Sequence, residues 1–160
     1  FTVNWGTVDL ISREILYLAM DSLAVPLPAF DTLAGREITF SLGEVIAVEE
    51  QLTVVRSSVY DGVRARIYLE HQEIVVRETK TAVIVALLAA GDTFTTTITV
   101  DTVPGREIEM KAAEVEAVEA QLVDVRSPIY TGVRSNIFLA DHVIEVRETA
   151  AAVLTLIENA

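Results

Sequence analysis

The chain has no cysteine, two histidines and only two lysines, and each shortage closes off some chemistry. Without cysteine there is neither a disulfide framework nor a thiolate metal site, and cysteine usage leaves the redox compartment open. No run approaches the roughly 18–20 uninterrupted apolar residues of a membrane-spanning helix, because Arg, Glu or Asp breaks every long one. A membrane protein is therefore not expected. Lys80 and Lys111 are the only lysines, so nearly all positive charge is arginine, a residue suited to planar, bidentate ion pairs. Positive charge is scarce altogether: 12 Lys and Arg face 24 Asp and Glu, a net charge of −12 that repels polyphosphate and argues against a nucleic-acid partner. Also missing are a Ser, His and Asp constellation, a phosphate-cradling glycine loop, a dinucleotide fingerprint and a paired-carboxylate signature. A catalyst here would have to draw acid and base from Glu, Asp, Tyr and Arg alone. The sequence is read as that of a non-enzyme, with no catalytic residues and no cofactor.

What is present is apolar and repeated. Hydrophobic residues form 51% of the 160, with mean hydropathy +0.42, high for a chain whose whole surface faces water. The excess apolar surface is expected to meet another chain. Shifted by 70 residues, Asp31 to Ala90 aligns without a gap on Asp101 to Ala160, and half of the aligned pairs are identical. The segments "VRSSVYDGVRARIYLEHQEIVVRET" and "VRSPIYTGVRSNIFLADHVIEVRET" carry nearly half of the identities. Four parts follow: an arm or strand segment at 1–30, a first repeat at 31–90, a linking strand at 91–100 and a second repeat at 101–160. Two copies are fewer than most solenoids need, so a pseudo-twofold pair is expected.

Each repeat reads as four antiparallel strands and a short helix, giving an α+β, mainly β, fold. "REITF" and "REIEM" begin it. Glu44 to Arg56, and Glu114 to Arg126, follow as a longer strand whose alternation slips by one residue, the mark of a β-bulge. Asp61-Gly62 and Thr131-Gly132 supply the turn. In the third strand Val63, Ala65, Ile67 and Leu69 alternate with Arg64, Arg66, Tyr68 and Glu70. Val133, Ser135, Ile137 and Leu139 do the same against Arg134, Asn136, Phe138 and Ala140. One face is core, and the other pairs arginine with aromatic rings. Ile74, Val76, Ile144 and Val146 point inward from the fourth strand. Thr79 and Thr149 are placed to cap the helices "KTAVIVALLAA" and "AAAVLTLIENA", which are apolar nearly all round and so are expected to be buried on more than one side. A strand over Ala82 to Leu87 competes with the first helix. "GDTFTTTITV" (Gly91 to Val100) reads as a turn and a paired Thr-rich strand. Before the repeats, Ser12 to Leu23 is either helix or strand, and Val25 to Pro28 is a break or an extended arm.

The candidate site residues follow from these faces. Arg64, Arg66, Tyr68, Arg134 and Phe138 form a candidate interaction face, and Trp5, the only tryptophan, is a candidate arm contact. Arg56, Arg64 and Arg77, with Arg126, Arg134 and Arg147, are expected to pair with acids across strands rather than bind a free anion. Tyr60 and Tyr130 read as caps on a sheet end. His71 and His142 do not occupy equivalent places, whereas a metal site duplicated with the fold would place them so; both read as solvent-facing turn residues, and no metal site is expected.

The stretch "FLADHVIEVRETAAAVLTLI" resembles the end of the short flagellar FlbD-like proteins and of many small tailed-phage proteins: a strand of the type I-x-V-x-E-[ST] runs into a helix carrying V-x-x-L-I. Those modules usually turn through "DG" where this chain has "EHQE" and "ADHV". The opening "VNWGT" is similar to phage head and neck proteins. The resemblance implies a small β module closed by a helix and transfers no functional residue. With the apolar composition and the acidic surface, it leads to the expectation of a structural protein of a virion, a decoration, head-stabilising or joining protein that binds copies of itself or a larger shell. The alternative is a cytoplasmic regulatory or small-anion-binding module that uses the arginine and tyrosine face.

Overall fold

A computed structural model describes residues 27–32, 34–51, 62–121 and 132–160. The chain is mainly β, with ten strands in three antiparallel sheets and two α-helices among those residues. Strands β1 (Ala29–Asp31) and β2 (Glu37–Thr39) form a hairpin. β3 (Val45–Glu50), β4 (Ala65–Leu69) and β5 (Gln72–Val76) form a meander that leads into α1 (Lys80–Ala89). The order then recurs: hairpin β6 (Thr97–Asp101) and β7 (Glu107–Lys111), meander β8 (Ala117–Ala120), β9 (Ser135–Leu139) and β10 (His142–Val146), and helix α2 (Ala150–Glu158).

Apolar alternation sets which face is core. Val63, Ala65, Ile67 and Leu69 are all buried, as are Val133, Ser135, Ile137 and Leu139. The phase slip is real in the first long strand, where the β3–β4 register shifts between Val45 and Ala47, whereas β8 pairs with β9 without a shift. Gly62 and Gly132 hold φ of 93° and 104°, a region where a Cβ would be strained. Thr79 and Thr149 accept hydrogen bonds from the backbone N–H of Ala82 and Ala152, so α1 is a helix and the competing strand does not form.

Several expectations are corrected. The four strands expected of each repeat are extended by a fifth, β1 or β6, and β6 is the paired Thr-rich strand that the linking stretch was expected to provide. Phe30 and Phe94, Ile98 and Val100 bring the apolar residues that make those segments worth burying. The second long strand begins only at Ala117, since Ala112–Glu114 forms a 3-10 turn in front of it. The helices are buried on one side only. Val83 and Leu87 of α1, and Val153 of α2, are in the core, while Val85, Leu88, Leu154 and Leu156 lie exposed. Each helix packs against one set of strands, and no second layer of the described residues covers its outer face. The arm's Ser12 to Leu23 segment, Trp5, Tyr60, Tyr130, Arg56 and Arg126 lie outside the described residues.

The connections between sheets matter most for function. β7 pairs antiparallel with β3, so the second hairpin extends the first meander into a five-stranded sheet ordered β5-β4-β3-β7-β6. β10-β9-β8 is a separate sheet, and the β1–β2 hairpin is a third. Single bridges link Thr32 to Val76 and Thr102 to Val146. Two apolar cores result. One contains Phe30, Val48, Ile67, Val83, Leu87 and Phe94. The other joins Ile46, Ala47 and Tyr68 of the first meander to Ile108, Met110, Ile137 and Val153.

Candidate functional site

The β3–β7 seam is the place where the two repeats join, and Glu49 sits at its centre. Glu49 lies in the apolar run of β3 and is only 4% exposed. A buried carboxylate needs hydrogen-bond donors around it. Tyr68 on β4 donates its hydroxyl to Oε2 at 3.1 Å, and Gln51 donates Nε2 to the same oxygen at 2.7 Å. Thr102, from the hairpin of the second repeat, donates to Oε1 at 3.2 Å. Arg106, also from that hairpin, brings Nη1 to 3.8 Å from Oε1 and donates to the Gln51 side-chain Oε1 at 2.9 Å. Arg66 completes the ring: its Nε stands 3.8 Å from Glu49, and its Nη1 donates to Glu73 on β5 at 2.9 Å. Burial, and then the neighbouring Glu49 charge, push the Tyr68 hydroxyl well above its ordinary range, so it remains a donor.

A cleft of about 330 Å³ opens beside this cluster, lined by Glu49, Arg66, Tyr68, Thr102, Pro104 and Arg106 among others. Its two guanidinium groups, Arg66 and Arg106, already face Glu49 and act as its ion-pair partners; neither is one of the six repeated arginines expected to pair with acids. The cleft thus joins positions from both repeats into one polar seam.

The structure divides the expected interaction face. Arg66 and Tyr68 converge on Glu49, but Tyr68 is buried, because the second repeat packs over the strand face that would otherwise meet solvent. Arg64 and Arg134 are exposed, Phe138 is half-buried, and neither Arg134 nor Phe138 lines this cleft. Arg147, expected to pair with an acid, instead donates its Nη2 to the Val103 carbonyl at 2.9 Å among the described residues. His71 is exposed in its turn, as expected, and meets Asp141. His142 differs: it opens β10, is half-buried, packs edge-on against the Tyr68 ring and holds Nε2 2.7 Å from the Leu69 carbonyl. The packing of the two repeats, absent from a linear reading, takes it out of solvent. Among the described residues, no group of three or more His, Asp or Glu is arranged to hold a metal ion.

A second polar contact ties the repeats together. Lys111 of β7 lies 3.2 Å from Asp92 Oδ1 and donates to the Gly43 carbonyl, while Asp92 accepts from the Gly43 N–H at 2.7 Å. Lys80 on α1 pairs with Glu107 of the same hairpin.

Sequence reasoning did not single out Glu49 and Gln51. The signal was available: "AVE" and "QL" recur in both repeats, and a glutamate retained inside an apolar strand needs partners. Compared with protein-family models, with curated proteins and with solved structures, the chain matches none.

Proposed function

We propose that this protein is a non-enzymatic structural protein, built from two tandem copies of one β unit, that works by contact with copies of itself or with a larger protein shell. The observation that carries this reading is the β3–β7 seam. It supports the reading because, within the chain, a hairpin is laid along a meander edge and locked by a buried Glu49 cluster. The exposed apolar residues Val85, Leu88, Leu154 and Leu156 add surface of the kind that association covers. A virion setting, as a decoration, head-stabilising or joining protein, suits the net charge of −12, which keeps such a protein off the packaged genome.

Light scattering at micromolar concentration tests the reading. A defined oligomer, or mass that grows with concentration, is expected. A monomer that binds inorganic phosphate in the arginine-lined cleft would overturn it in favour of the small-anion-binding alternative.

A further inference from the structure

The seam inside the chain uses two surfaces, and the sequence carries each of them twice. β7 docks on β3 with Ala47 opposite Met110, Val48 opposite Glu109 and Glu49 opposite Ile108. Seventy residues away, β8 stands where β3 stood and β2 where β7 stood. Among the described residues β8 pairs only with β9, and β2 only with β1. One copy of each surface is joined and the other is open.

Exposure follows the same division. Ala47, Val48, Glu49, Gln51, Thr102 and Ile108 are buried in the seam, and their counterparts are not: Ala117 and Glu119 are exposed, while Val118, Gln121, Thr32 and Ile38 are half-buried. Of the polar locking groups, Tyr68 and Arg66 are replaced by Phe138 and Asn136, and the other four are retained. Glu49 and Gln51 recur as Glu119 and Gln121, and Thr102 and Arg106 recur as Thr32 and Arg36. The open edge is even arranged as the joined one is. Gln121 donates to Glu119 as Gln51 does to Glu49, and Asn136 donates to Glu119 from the position of Arg66. An exposed strand edge whose polar residues match those of a joined edge is a surface for strand addition.

We infer that a second copy of this chain docks head to tail, its β2 lying antiparallel along β8 of the first, with Arg36 and Thr32 of one copy on Glu119 and Gln121 of the other. The inference rests on the assembly reading above and names its joint. The register follows from the seam: Ala117 opposite Phe40, Val118 opposite Thr39 and Glu119 opposite Ile38. A joint of this kind is heterologous, using different surfaces on the two partners, so each added copy presents a new open edge and the product is a ring or a filament. The fit to β8 is complementary in charge as well, since Arg36 brings the cation that the acidic edge lacks.

The test uses the full chain and light scattering over a range of micromolar concentrations, with circular dichroism confirming that each variant is folded. Arg36→Glu and Glu119→Arg should each weaken self-association at least about tenfold, because each sets like charges across the joint. The two combined in one chain should restore it. The absence of cysteine allows a second readout. Chains carrying Thr39→Cys, mixed with chains carrying Val118→Cys, should give a disulfide-linked heterodimer on a denaturing gel under oxidation. Assembly that ignores both charge reversals would overturn this joint while leaving self-association intact. A wild-type chain that stays monomeric would overturn both, as would a Thr39→Cys, Val118→Cys double variant that links only within itself.

Discussion

His71 meets Asp141, the residue that occupies its own place 70 positions later, with imidazole Nδ1 2.8 Å from carboxylate Oδ2. The two turns that bear them, between β4 and β5 and between β9 and β10, are therefore neighbours, with a histidine in one where the other has an aspartate. The hydrogen bond to Asp141, helped by the charge of Glu70, raises the His71 pKa above its ordinary 6.5. A raised folded-state pKa means that the contact stabilises the fold below the unfolded value, and that this contribution is lost as pH rises through the folded one. Titration of the His71 ring protons by NMR should give a midpoint above 6.5, and Asp141→Asn should lower it. A midpoint unmoved by that substitution would contradict the contact.

The Lys111–Asp92 pair is the most deeply buried ion pair of the fold's described part, with side-chain exposures of 9% and 0%. Asp92→Ala would strand the lysine ammonium beside Phe94 and free the Gly43 N–H. A loss of about 3–5 kcal/mol is expected from chemical denaturation. Replacing both partners by apolar residues should recover much of it, because the cost lies in the charge left behind.

Glu49→Gln removes the carboxylate that faces Arg66 and Arg106 and keeps an oxygen for only one of Tyr68 and Thr102, which donate to different carboxylate oxygens. Stability should fall by about 2 kcal/mol, less than for a fully enclosed pair because both arginines retain some contact with water. Ultraviolet titration should show the Tyr68 phenol ionising at lower pH than in the wild type, while staying above its ordinary 10, since burial, the larger cause of its shift, is unchanged.

The two faces of α1 should respond differently to the same change. Leu87→Ala opens the core shared with Val48 and Ile67 and should cost about 2–5 kcal/mol. Val85→Ala, on the exposed face, should stay within about 0.5 kcal/mol. Equal losses, measured as denaturation midpoints, would mean that the outer face is covered.

Local chemistry was legible in the sequence because it depends on near neighbours. Alternation named the buried face of β4 and β9, the phase slip marked the bulge in β3, and Thr79 and Thr149 were readable as helix caps because their partners lie three residues on. The 70-residue repeat was equally plain. What remained hidden were relations between distant segments. Nothing in β7 alone says that it pairs with β3 rather than with β8, since both edges bear nearly the same residues. That choice buries Glu49 and Tyr68, leaves Glu119 exposed, and converts an apparent arginine and tyrosine surface into an internal seam. Pattern determined the strands, their inward faces and their duplication. Only the tertiary structure decided which of two nearly identical edges is joined, because that depends on how the chain between them travels in space.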